Sequence, residues 1–131
     1  MDNRRVVEDY QIIAQRLIQE KPELEAIKES DIQIICLGST AAKKKGDKVV
    51  MGQCEKVSDK HKWAIPCDFT ITLFEPNIAG FNDLQLEILI YHELLHIGID
   101  EGRLFVKPHD LEDFKIIIDT YGTNWADVPE F

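Results

Sequence analysis

A chain of 131 residues is the length of one domain, and at that size it buries roughly two thirds of its unfolded surface, so one core can hold it without a disulfide staple. A hydrophobic fraction of 44%, a charged fraction of 30% and only 7 Gly and 5 Pro exclude a fibrous or disordered chain. With 24 acidic against 15 basic side chains the formal charge is −9, which repels a phosphate backbone and an anionic leaflet alike, so neither nucleic acid nor membrane is an expected partner.

The amino-terminal stretch MDNRRVVEDYQ is charged where a secretory signal carries an apolar run of about 7–15 residues, so a cytoplasmic location is expected. Val6, Tyr10, Ile13 and Leu17 recur at helical spacing with charges between them, which predicts an amphipathic helix from about Asp2 to Glu20. Pro22 ends it, and PELEAIKES can add a short helical piece with Pro22 in the first turn, where its missing N–H costs nothing. DIQIICLG and KVVMGQCEKV are rich in β-branched residues and separated by the turn-like STAAKKKGD, which predicts two strands arranged as a hairpin. Lys43, Lys44, Lys45 and Lys48 lie beside Gly46 and Asp47 and read as a solvated turn. DFTITLFEP sets Phe69, Ile71 and Leu73 against Thr70 and Thr72, predicting a third, half-buried strand between the loops SDKHKWAIP and EPNIAGFND.

Asn82 or Asp83 can cap the next helix, whose body from Leu84 to Ile97 is apolar nearly all round and therefore reads as buried. Gly98 or Gly102 can close it, and RLFVKP follows as a short extended piece. Asp110 with Asp113 resembles a capping box for a last helix that carries Leu111, Phe114, Ile118 and Tyr121 on one face and stops at Gly122. No window reaches about 18 uninterrupted apolar residues, so no membrane span is expected. Three cysteines, Cys36, Cys54 and Cys67, odd in number and loosely spaced, fit the reduced thiols of a cytosol. In order, these elements predict an α+β fold, a small three- to four-stranded sheet packed with helices, as a single domain over residues 1–131.

Inside the buried helix stands His92-Glu93-Leu94-Leu95-His96. Residues four apart share a helix face, so both imidazoles can reach one ion, while Glu93, turned by roughly 100°, can reach a water on that ion. Scattering 4 His and 12 Glu over this length would produce the pattern roughly 1% of the time. Two imidazoles and a carboxylate in an apolar helix are expensive to bury unless something charged compensates them, and one Zn²⁺ does so.

A catalytic zinc takes three protein ligands and leaves a position open. The metzincin extension, a Gly three and a His six residues after the second His, is absent, since Ile99 and Gly102 stand there. Candidates for the third ligand are His109, Asp100, Glu101, Glu112, Asp113 and His61. His109 is preferred, because it precedes a capped helix to which a short strand can return it; His61, between Lys60 and Lys62, reads as surface. Asp110 and Asp113 read first as caps, yet either, like Asp100, can accept the second N–H of a metal histidine. Cys54, His61 and Cys67 match no zinc-knuckle spacing, and Tyr91 and Tyr121 read as core aromatics. With zinc present, Glu93 would take a proton from the activated water and deliver it to a leaving amine, which makes amide hydrolysis the expected reaction.

YHELLHIG, followed by VKPHDLEDFKIIIDTYGTNW and preceded by DFTITLFEPN, resembles the phage metallopeptidase family, which is related at the level of motif to SprT-like and other zincin domains. The resemblance runs from DYQIIAQRLI to Trp125. It implies a zincin-like domain built around a central buried HExxH helix, encoded by phages or prophages, with a peptide or protein as substrate. It also implies His92 and His96 as zinc ligands, Glu93 as catalytic base and His109 as third ligand. HELLHIGID also resembles the His-x-x-x-His-x-x-Gly-x-Asp-like site of the bacterial YbeY endoribonucleases, which would imply an RNA-processing metal hydrolase. Against that, Glu93 replaces the usual glycine, Gly98 stands one place early, and the chain is acidic where RNA binding favours basic. A third reading is a phage or host interaction protein that keeps zinc for stability without turnover, which would call for a site closed by four ligands. Oligomeric state and cleavage preference have no signature in these residues.

Overall fold

A computed structural model describes residues 3–107 of the chain. Strand β1 (Arg4–Val6) leads into helix α1 (Glu8–Glu20), and a 3-10 turn (Pro22–Leu24) leads into the short helix α2 (Glu25–Lys28). Then come β2 (Ile34–Ser39), the two-residue strands β3 (Lys44–Lys45) and β4 (Lys48–Val49), β5 (Gly52–Lys56) and β6 (Phe69–Phe74). Helix α3 (Asp83–Leu95) follows, and the hairpin β7 (Ile97–Asp100) and β8 (Arg103–Val106) closes the described part. Strands β1, β2, β6 and β5 form, in that order, a four-stranded sheet in which β2 and β6 run parallel and both outer pairs are antiparallel. The architecture is α+β, as the element order predicts.

The first helix begins later than its periodicity suggests. Arg4–Val6 pair with Leu37–Ser39 as an edge strand, and Val7, in extended conformation, donates its N–H to the Cys36 carbonyl. Tyr10, Ala14, Leu17 and Ile18 form the buried stripe, whereas Val6 belongs to the strand and is exposed. Asp2 lies outside the described residues. The Gln11 side chain then continues the ladder that β1 has left. Its Nε2 donates to the Ile34 carbonyl at 2.8 Å and its Oε1 accepts the Cys36 N–H at 2.9 Å, so one helix residue satisfies two backbone groups of β2.

The expected hairpin of β2 and β5 is not formed, because β6 lies between them and pairs with both. Six consecutive buried residues make β6 the natural centre of the sheet, and the intervening STAAKKKGD instead folds on itself as β3–β4, with Gly46 at φ 64° in the turn. Nor is β6 half buried. Phe69, Ile71 and Leu73 face the helices, while Thr72 and Phe74 on the other face are covered by basic side chains: Arg4 donates to Thr72 Oγ1 at 3.3 Å, and the Arg4 and Lys43 cations sit 6.0 and 5.3 Å from the Phe74 ring centroid. Lys43 is thus packed, leaving Lys44, Lys45 and Lys48 as the exposed turn.

Helices α1 and α3 pack against each other and against the inner face of the sheet, enclosing a core that includes Leu17, Phe69, Ile71, Leu73, Ile88, Leu89 and Leu94. Helix α3 ends at Leu95, two residues before the expected end of its apolar body, and Ile97–Asp100 is a strand. The reason is the turn that follows: Glu101 at φ 50° and Gly102 at φ 80° supply the paired left-handed residues of a two-residue hairpin, and neither glycine closes the helix. Gly98 faces Phe105 across this hairpin, and a Cβ there would lie 2.4 Å from the ring. Gly98→Ala is therefore expected to unseat Phe105 and destabilise the protein by about 1–2 kcal/mol, read as a lower midpoint in thermal or denaturant unfolding. Among the described residues, no helix is long and apolar enough to cross a membrane.

Candidate metal centre

The start of α3 is fixed by a reciprocal cap. Asn82 Oδ1 accepts the Gln85 N–H at 2.8 Å, and Gln85 Oε1 accepts the Asn82 N–H at 2.9 Å. From that start the helical repeat carries His92 and Glu93 into the last turn and His96 to the C-cap, where φ −76° and ψ −14° keep it helical. The two histidines therefore retain their i, i+4 relation although the helix stops between them and the strand. All three side chains are buried in the apolar interior, with 5%, 4% and 6% of their surfaces exposed for His92, Glu93 and His96.

The imidazoles turn the same nitrogens toward each other: Nε2 to Nε2 is 3.3 Å, with ring centroids 4.9 Å apart and planes at 83°. On its far side His96 Nδ1 lies 2.5 Å from the Lys107 carbonyl. A carbonyl oxygen only accepts, so Nδ1 carries the proton and Nε2 keeps its lone pair. The Lys107 N–H in turn donates to the His96 carbonyl at 2.5 Å, clamping the residue after β8 to His96 at two points.

This donor pair fits a tetrahedral ion. Two ligands about 2.0–2.1 Å from one zinc, at a tetrahedral angle, are about 3.3–3.4 Å apart, which is the separation the two Nε2 atoms already have. The backbone carbonyl behind His96 is the usual outer partner of a ligating imidazole. Among the described residues, no group of three or more His, Cys, Asp or Glu is placed to hold a metal ion.

The remaining candidates are scattered. Asp100 ends β7 and is exposed, opposite Arg103, and Glu101 occupies the hairpin turn. His61 sits in the loop before β6, its Nδ1 2.7 Å from Ser58 Oγ. His109, Asp110, Glu112, Asp113 and Tyr121 lie outside the described residues. Tyr91 is a core aromatic, fully buried, donating its hydroxyl to Glu23 Oε2 at 2.9 Å. Cys54, His61 and Cys67 do not converge, and the three thiols are free. Burial pushes the Cys36 thiol up to about 12 and raises Cys54 as well, the nearby Glu93 charge adding to the effect at Cys54.

Two contributors escaped the sequence reading. The Lys107 carbonyl is a main-chain group and leaves no side-chain signal. Gly52, the first residue of β5, lies against Glu93: a Cβ there would stand 3.1 Å from Glu93 Oε2. A glycine inside a strand was the available sign, since strands disfavour it unless something approaches closely. A cavity of about 580 Å³ opens on the opposite face of the sheet, walled by Val6, Ile35, Leu37, Val57 and Ile65. Among the described candidates, only His61 borders it.

A family model described as "putative phage metallopeptidase" matches residues 5–130. No curated protein and no solved structure matches the chain.

Proposed function

The chain belongs to the phage metallopeptidase family, and from that premise we propose that it is a zinc-dependent peptidase that hydrolyses peptide bonds with Glu93 as general base. The observation that carries the proposal is the His92–His96 pair, whose facing Nε2 atoms, 3.3 Å apart, are spaced for one tetrahedral ion. His92 and His96 are two ligands of a single Zn²⁺ and His109 is the third. Support for His109 comes from the clamp on Lys107: two residues of chain span at most about 7 Å, so the chain length from the clamped Lys107 allows a histidine two positions on to be brought to the ion that His96 would hold. Asp110 and Asp113, close behind it in sequence, are the candidates to take the outer N–H of His92 or His109. The zincin-like reading of the fold rests on the same motif and on the helix that presents it beneath the sheet.

A zinc ion held here would polarise the scissile carbonyl and acidify the attacking water. Glu93 then accepts that water's proton and returns it to the departing nitrogen, so one carboxylate serves both halves of the reaction. The Lys107 carbonyl holds the His96 ring in the tautomer that offers Nε2. Glu93 is only 4% exposed, in an apolar surrounding where charge is felt more strongly than in solvent.

The test is elemental analysis of protein never exposed to chelator, together with a peptide-library digest. About one zinc per chain and cleaved peptides are expected. Metal-free wild-type protein would overturn the reading, and cleavage of RNA without peptides would transfer the site to an RNA-processing hydrolase.

A further inference from the structure

Glycine is normally placed in a strand for its backbone freedom, but Gly52 does not use it. The glycines with left-handed φ among the described residues are Gly46 and Gly102. Gly52 lies in β5, paired with Leu73 of β6, where any residue could adopt the backbone. What sets the position apart is the space in front of it. A Cβ would stand 3.1 Å from Glu93 Oε2, 3.1 Å from Leu73 Cδ2 and 3.2 Å from Leu89 Cδ1. Leu73 and Leu89 are fully buried in the core and have nowhere to go. Glu93, itself only 4% exposed, meets the same position with the end of a longer, more flexible side chain, and that end is what must shift.

We propose that Gly52 is a positioning residue for Glu93: the bare strand at β5 forms the wall against which the carboxylate rests, and the missing side chain sets how far the carboxylate reaches. This rests on the reading of Glu93 as general base, and it adds the element of the fold that aims it. The cost of a glycine in a strand, where Ala or a β-branched residue is more stable, is offset by the room it leaves. A methyl group at this position moves the carboxylate by a few tenths of an ångström.

Two measurements decide the matter, one of them independent of activity. In metal-free protein, Gly52→Ala is expected to lower Tm by about 3–8 °C, and in a Glu93→Ala background by less than half as much, because the atom it collides with is gone. A Gly52→Ala chain that folds only when Glu93 is shortened would give the same answer. In zinc-loaded protein, Gly52→Ala is expected to retain the metal and KM while kcat falls about tenfold, and to have no further effect on the residual rate of Glu93→Gln. Equal Tm losses in the two backgrounds, or an equal fall of kcat in the Glu93→Gln protein, would overturn the proposal and leave Gly52 as packing for the leucines. Should wild-type protein hydrolyse nothing, the stability cycle still decides whether the wall exists, and the failure belongs to the peptidase reading.

Discussion

Glu93→Gln is expected to lower kcat for peptide cleavage by about 10²- to 10⁴-fold while the protein keeps its zinc. The amide has nearly the shape of the carboxylate, so the packing against Gly52 persists and the histidine pair is undisturbed. What disappears is the basic oxygen that would take the proton of the attacking water. KM should change little, since binding does not need the base. The variant should be no less stable than wild type, because a side chain only 4% exposed no longer has to be kept charged. Unchanged turnover would remove Glu93 from the mechanism, and loss of metal would mean that Glu93 is itself a ligand.

His92→Ala and His96→Ala are each expected to abolish stoichiometric zinc binding, measured on protein dialysed against limiting zinc, and with it the stabilisation that a bound ion confers. The metal-free form of His96→Ala also reports on a contact behind the ring. His96 also holds the Lys107 carbonyl through Nδ1, so His96→Ala gives up a hydrogen bond worth about 0.5–1.5 kcal/mol that His92→Ala retains. Apo His96→Ala should therefore unfold at a lower temperature than apo wild type. Retention of one zinc by either variant would sink the assignment of ligands.

The facing of His92 and His96 was legible because its signal is local: four residues of spacing, an apolar helix around it, and a capping Asn82 at its start. The course of the sheet was not. Whether β2 meets β5 or β6 depends on which strand buries both faces, and β6 advertised only one, its threonines being covered by Arg4 and Lys43 from elsewhere in the chain. The edge strand β1 looked helical because Val6 falls in phase with Tyr10 and Leu17, and only its pairing with β2 overrides that phase. Gly52 and Glu93 stand 41 positions apart, so no window of sequence contains both. The outer partner of His96 is a backbone carbonyl, the one kind of group that every residue carries.

The clamp between Lys107 and His96 gives the β7–β8 hairpin a further significance. Ile97 pairs with Val106, and the register is set at the other end by the two-residue turn at Glu101 and Gly102. One residue more or less in that turn would slide the return strand by one place, invert its faces and take the Lys107 carbonyl off the imidazole. The turn thus works as a length standard: though built of exposed residues with no chemistry of their own, it measures out where the ring of His96 is held.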